Sequence, residues 1–386
     1  MSAQAGILSG LRVVEVSAFV AAPLGGATLA ALGADVIRVD PIGGGIDAGR
    51  WPLGPDGRSL YWAGLNQGKR SITLDLRSDE GRDLVARLIT CAGDGGGILL
   101  TNLPARGWLD YETLRARRGD LIIVAISGSR DGGTAVDYTV NAGAGFPLVT
   151  GPEGHDGPVN HVLPAWDLQT GFLAALGVVA AERHRRLTGE GRLVQLALED
   201  VALAVAGNLG ILAEAQLVEE PRARYGNDLY GTYARDFRTA DGRDVQVCAL
   251  TPRQWYSLGE ATGLAPGLAA LGERLELDLE LEGDRFRARH DISALLAPWF
   301  AERQLAEVAA ALTQHGVLWG PYRTFKELAA DSGPAPATAL DFGGGPPEAP
   351  KRGPELGANT DQVLRELIGL ADTDLDRLRR ERIIAS

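Results

Sequence analysis

Cysteine, methionine and lysine are scarce in this chain of 386 residues, which holds 2 Cys and 1 Met and places lysine only at Lys69, Lys326 and Lys351. Cys91 and Cys248 have no metal-ligand spacing and no further partners, so neither a disulfide framework nor a zinc site is expected. Each reads as a buried small hydrophobe. With 38 basic against 50 acidic residues and a net charge of -12, the chain offers no basic face for nucleic acid or an anionic membrane surface. Long apolar runs are missing too: nothing approaches the roughly 20 residues that span a bilayer. The opening MSAQAG lacks a basic leader and apolar stretch, so a cytoplasmic protein is expected. The 5 histidines form no pattern, and His155, His184, His290 and His315 read as surface or helix-end residues. No G-x-S-x-G nucleophile motif occurs.

What is present is an α/β alternation long enough for two domains, because single cores stop growing near roughly 250–300 residues. The run LRVVEV from Leu11, the small apolar stretch Pro23 to Leu32 and the run from Asp35 to Val39 make one βαβ unit. Strands at Ser71 to Leu76, Gly97 to Thr101 and Leu121 to Ser127, with a helix from Asp79 to Cys91, extend it into a parallel, helix-covered sheet. From Asp167 to Leu187 the sequence is apolar on nearly every face and predicts a core helix. Boundaries are set at 1–218 for a large domain, 219–332 for a small α+β domain and 333–386 for a segment returning to the large one. The small domain holds a hairpin turning at Asp241-Gly242 and helices at Pro252–Thr262, Asp291–Phe300 and Gln304–His315. Phe342 to Pro354, rich in Gly and Pro, reads as a linker or covering loop. A single helix is expected over Thr360–Arg380.

Asp167 is the most informative residue. It opens the long apolar helix with no histidine or cysteine patterned around it, which suggests covalent chemistry by the carboxylate itself. An aspartate with an ordinary pKa near about 3.9 is ionised at neutral pH and needs no base. The glycine clusters near Gly25, Gly43 and Gly95 do not give G-x-G-x-x-G, which argues against a dinucleotide site. The segment GLNQGKRS from Gly64 has three residues between its glycines and misses the P-loop spacing by one. Its Asn66, Lys69 and Arg70, with Arg77 after the next strand, are candidates to hold phosphates, against the alternative of a solvated turn. His161, six residues before Asp167, reads more simply as a hydrogen-bonded structural residue than as a general base.

The ordered set LRVVEV from Leu11, LGADVIRV from Leu32, NQGKRSITLDL from Asn66, Thr101-Asn102, the Trp166-Asp167 segment through Gly171, LTGEGRLV from Leu187 and PELGANT from Pro354 resembles the class III CoA-transferase family, CaiB/BaiF type. The similarity spans Leu11 to Leu378. It implies a Rossmann-like large domain, a smaller α+β domain and an interlocked homodimer. The partner molecule it implies is an acyl-CoA, with no cofactor beyond the coenzyme A carried by the substrate. By the resemblance, the adenine and phosphates lie against Leu74 and Arg77, and the pantetheine passes Phe19, Val20, Ala21 and Asn102. Asp167 is the acyl-carrying nucleophile, with Asp137, His161 and Trp166 as pocket residues.

Within the family, the segments SAFVAAPLGG from Ser17, IGGG from Ile42, RDGG from Arg130, VDYTVN from Val136, Asn160 to Asp167 and LYG from Leu229 look closest to members that move CoA between the C1 and C4 carboxylates of mesaconate. Transfer to a separate carboxylic acid is the alternative, and an inactive CoA-binding scaffold is a third reading. Family racemases carry a histidine where Val136 stands, so racemisation is disfavoured. The loop LPARGW after Asn102 is about four residues shorter than usual and leaves Arg106 as the candidate phosphate contact. No glycine-rich loop like that covering the site of oxalate-linked members follows Ala249, so a different closing device is expected. Leu163, Trp166 and Phe172 could wall the pocket, or Trp166 and Phe172 could pack the core.

Overall fold

Six strands, five of them mostly buried, form one parallel sheet in the computed structural model, which describes residues 6–332, 337–342 and 352–385. The strands are β1 (Arg12–Val16), β2 (Asp35–Pro41), β3 (Arg70–Leu74), β4 (Ile98–Thr101), β5 (Ile122–Ser127) and β6 (Leu193–Ala197). Their order is β3-β2-β1-β4-β5-β6. Val14 pairs with Ile37 on one side and with Leu99 on the other. Such strands are covered on both faces and read as continuous apolar runs. The order reverses between β1 and β4, so the crevice beyond the carboxyl ends of these two strands is where the topology places a ligand. β6 sits at the sheet edge, in the segment LTGEGRLV that the alternation alone did not mark as a strand.

The chain divides into two compact units. The first holds the sheet, with Val162–Leu217 and the C-terminal segment. The second is made of Gly145–His161 and the residues from Val218 to 332. In the second unit β7 (Tyr233–Arg238), β8 (Asp244–Ala249) and β9 (Leu318–Pro321) form an antiparallel sheet in that order. Gly242 has φ of 74°, as the Asp-Gly turn requires. Tyr233, Phe237, Val247, Leu258, Ile292 and Phe300 fill this unit's core.

Helix α1 (Ala21–Ala31) contains Gly25 and Gly26, poor helix formers, because other groups must come close. A Cβ on Gly26 would overlap Glu15 Oε2, and one on Gly25 would sit 3.0 Å from Gly171 O. Reciprocally, a Cβ on Gly171 would lie 2.8 Å from Ala21 O and 3.0 Å from Leu24 Cβ. Gly171 belongs to the long helix Ala165–Thr188, one turn after Asp167. Gly171→Ala should therefore force the first turn of that helix away from α1. We expect a loss of about 1–3 kcal/mol of stability from overpacking, and at least about a tenfold fall in kcat from a displaced carboxylate. A variant with wild-type kcat and melting temperature would refute the coupling.

The long helix is not buried all round. Thr170, Gly171, Ala174, Ala175, Val178 and Ala181 face inward, while Phe172, Leu173, Leu176 and Val179 are exposed. Small residues are the ones that allow close packing on α1 and the sheet, and the large ones point the other way.

Two further expectations are corrected. The C-terminal helix is two helices, Thr360–Ile368 and Asp372–Arg380, because Gly369 takes a left-handed φ of 71° and caps the first. This segment docks on β3: Asn359 Oδ1 accepts from Ser71 N at 3.0 Å and Asp75 N donates to Ile383 O at 2.9 Å. Cys91 and Cys248 are free thiols, half-buried rather than buried. Of the proposed linker, 343–351 lies outside the described residues. Among the described residues no cluster of His, Cys, Asp and Glu could hold a metal, and no helix is long and apolar enough to cross a membrane.

Candidate active site

Asp167 is the third residue of the long helix, and the residue that caps that helix comes from elsewhere. The turn at Pro164 supplies no side-chain cap. Instead Asp137, the first residue of the short helix Asp137–Gly143, accepts from Trp166 N at 2.7 Å and from Asp167 N at 3.0 Å through Oδ2. A carboxylate on the free N–H groups of a helix start is a favourable arrangement. Asp137 is 2% exposed, and its Oδ1 has no hydrogen-bond partner. A second carboxylate is thus fixed beside Asp167.

That arrangement changes the ionisation expected from the sequence. Burial, then the Asp137 charge, push the Asp167 carboxyl from 3.8 up to about 7, against the pull of the Arg50 guanidinium. Asp167 therefore does not keep an ordinary aspartate pKa. At neutral pH a substantial share of it is therefore protonated.

Coupled electrostatically to Asp167 are Arg50 and Tyr61, which no motif pointed to. The Arg50 guanidinium lies 5.4 Å from the Phe19 ring centroid and 5.1 Å from that of Tyr61. Burial pushes the Tyr61 phenol up to about 12, opposed by Arg50 and reinforced by Asp167, so it stays protonated. Phe19 has a left-handed φ of 64°, unusual for an aromatic residue, and donates its N–H to Asp47 Oδ2 at 2.9 Å. Across the β1/β4 crevice, Asn102 locks the same loop: its Oδ1 accepts from Ala18 N at 2.9 Å and its Nδ2 donates to Ala18 O at 2.6 Å. Phe19 and Asn102 thus meet at the ligand crevice, while Val20 and Ala21 are buried at the start of α1.

Other expected contacts lie elsewhere. Lys69 Nζ is fully buried and donates to Glu15 at 3.0 Å, Pro23 O at 2.8 Å and Asn66 Oδ1 at 2.9 Å. All three of its protons are in use, and burial lowers its pKa to about 8 against the pull of Glu15. Asn66, 1% exposed, donates to Trp62 O. Arg70 opens β3 at the amino edge, away from the crevice, and is spent on Asp35 at 2.6 Å and Glu366 at 2.7 Å. The Leu74 side chain is wholly in the core. Asn66, Lys69 and Arg70 thus spend their polar groups within the chain, and the Leu74 side chain is packed in the core. Arg77 and Arg106, both exposed beyond the carboxyl ends of their strands, make no ion pair among the described residues. Trp166 is buried and donates Nε1 to Asn141 Oδ1 at 3.2 Å, so it packs and positions. Leu163 and Phe172 are exposed. His161 belongs to the second unit.

Beneath the loop lies a buried charge cluster. Arg38 binds Asp40 at 2.8 Å, Glu15 at 3.1 Å, Ser17 at 2.8 Å and Asp47 at 3.4 Å. Burial works against its charge, but Glu15, Asp40 and Asp47 together outweigh it and hold the guanidinium above its ordinary value. Because Asp47 also holds Phe19, the cluster is the footing of the crevice.

A doubly wound parallel sheet thus presents a buried carboxylate, Asp167, at the start of its long helix. The model of CoA-transferase family III matches residues 8–357, and the chain belongs to that family. It is 53% identical over 98% of both chains to 2-methylfumaryl-CoA isomerase of Chloroflexus aurantiacus. Against succinyl-CoA–D-citramalate CoA-transferase of the same organism the identity is 28%, again over 98% of each chain. Its fold matches the crystal structure of a CAIB/BAIF family protein from Brucella suis with a TM-score of 0.77 and 26% identity, covering 94% of this chain and 100% of that one.

Proposed function

We propose that this chain moves coenzyme A between the C1 and C4 carboxylates of mesaconate, converting 2-methylfumaryl-CoA to 3-methylfumaryl-CoA. The observation that carries the reading is the 53% identity to the Chloroflexus isomerase along nearly the whole of both chains. Asp167 and its surroundings supply the chemistry. An Asp167 oxygen attacks the thioester carbonyl, expels CoA thiolate and leaves a mixed anhydride. The thiolate then attacks the aspartyl carbonyl, which frees mesaconate and forms an aspartyl-CoA thioester. After the dicarboxylate turns, its C4 carboxylate attacks that thioester and expels the thiolate again. The thiolate takes the C4 acyl group from the second anhydride, and Asp167 is restored. Nothing external is consumed.

Two demands follow. Water must be kept out, because anhydrides hydrolyse. Mesaconate must stay beside the aspartyl thioester, where an effective molarity up to the order of 10⁵–10⁸ M favours recapture over escape. Phe19 and Asn102 are assigned to the pantetheine, and Arg77 and Arg106 to the phosphates. We place the protein in the cytoplasm and read it as an interlocked homodimer, the second reading supported by the exposed Phe172, Leu173 and Leu176 of the long helix.

The test is to supply 2-methylfumaryl-CoA together with labelled free mesaconate. The positional isomer without label is expected. Label in the thioester would instead assign transfer to a separate acid, the activity named for the citramalate relative, and absence of turnover would sink the reading.

A further inference from the structure

Arg50 is a cation without an ion-pair partner among the described residues, in a chain with 50 acidic residues. Its main chain is pinned: Arg50 N donates to Asp47 O at 3.1 Å, and Arg50 O accepts from Ser59 Oγ at 2.5 Å. The guanidinium lies over the rings of Phe19 and Tyr61, 5.4 and 5.1 Å from their centroids. Two rings remove part of its water and leave the fork-shaped donor edge to a ligand. Its charge is felt at Asp167 and at the Tyr61 phenol. A planar cation is therefore stationed beside the nucleophile, oriented by aromatic rings and not neutralised by a carboxylate of its own.

We propose that Arg50, lying over Phe19 and Tyr61, binds the carboxylate of the acyl group that is not in the thioester, so that the site selects CoA monothioesters of dicarboxylic acids. This inference rests on Asp167 being the acyl acceptor. Without such a cation, Asp137 and Asp167 would repel a third carboxylate. With it, a bidentate pair fixes the substrate's far end and sets the thioester carbonyl. The arrangement also serves a substrate that turns round. When CoA is on C1, Arg50 holds the C4 carboxylate; when CoA is on C4, it holds C1. One residue recognises both ends of the reaction.

The experiment compares acylation of Asp167, trapped with hydroxylamine, by three thioesters: 2-methylfumaryl-CoA, succinyl-CoA and the neutral 2-methylcrotonyl-CoA. The quantity read is the ratio of kcat/KM for a dicarboxylic to the neutral ester, in wild type and in Arg50→Met. Arg50 also pulls on the Asp167 proton, so its loss slows all three esters, but that common effect cancels in the ratio. We expect the wild-type ratio to be on the order of 100 and to collapse to about 1 in Arg50→Met, with Arg50→Lys between them through a raised KM. The same collapse is expected with the pantetheine thioesters, which lack phosphates. A ratio that Arg50→Met leaves unchanged overturns the proposal, as does a change confined to the CoA esters, which would assign Arg50 to the nucleotide. Failure of the intramolecular reading would show separately, as wild-type enzyme that makes no positional isomer, and the succinyl-CoA ratio would still decide the role of Arg50.

Discussion

Asp167→Asn should abolish turnover and make the protein more stable above neutral pH. The two effects have one cause. Asp167 lies where burial and Asp137 oppose its charge, so its carboxyl titrates near about 7 rather than 3.8. Folding therefore favours the protonated form. That contribution is fully present below 3.8, declines as pH rises, and is gone above about 7, where the folded protein carries an unfavourable anion. Asparagine keeps the shape and removes the charge. We expect it to gain about 2–4 kcal/mol at pH 8 in denaturant unfolding, a difference that narrows as pH falls toward the ordinary aspartate value. Activity should fall by at least about 10³-fold, because the amide cannot act as the acyl-accepting carboxylate proposed for Asp167. In the wild type, kcat/KM should rise about tenfold per pH unit up to about 7 and then level off. Substantial activity in both Asp167→Asn and Asp167→Ala would remove the carboxylate from the nucleophile role.

The second large effect is structural. Arg38 is completely buried and answers three buried acids, Glu15, Asp40 and Asp47. Replacing it with methionine leaves those acids with Lys69 as the remaining buried cation of the cluster. Breaking a buried pair from one side costs roughly 3–5 kcal/mol, because the remaining charge cannot be hydrated. Arg38→Met should lower Tm on the order of 10 °C or yield insoluble protein. Removing a charge of each sign is milder, so Arg38→Met combined with Asp40→Leu should recover part of the loss. If the single variant melts like wild type, the cluster is not the footing of the crevice.

Much of this was legible in the chain. The strands β1 to β5 announce themselves because a sheet buried on both faces needs uninterrupted Val, Ile and Leu. Asp241-Gly242 announced its hairpin because its glycine readily takes the left-handed φ of the turn. Asp167 was legible too, as an acid at the head of an apolar helix. Less visible was β6, a partly exposed edge strand whose apolar pattern is weak. The break at Gly369 was read through because Leu364 and Leu375 both belong to the core and keep an apolar spacing across it.

The charged residues divide most sharply. Lys69 looked like a phosphate ligand because it is a rare cation beside a glycine turn, yet its protons go to Glu15, Pro23 and Asn66. Arg50 looked like nothing, although it is the cation whose charge is felt at Asp167. The amino-acid sequence by itself determined the alternation of strands and helices, the family and the acid at the head of the long helix, since these follow from local polarity and from an ordered set of segments. Only the tertiary structure decided the pKa of that acid, the cap it receives from Asp137 and which cations are left unspent. These depend on distances between residues far apart in the chain, and a charge's effect is set by the groups around it and its access to water.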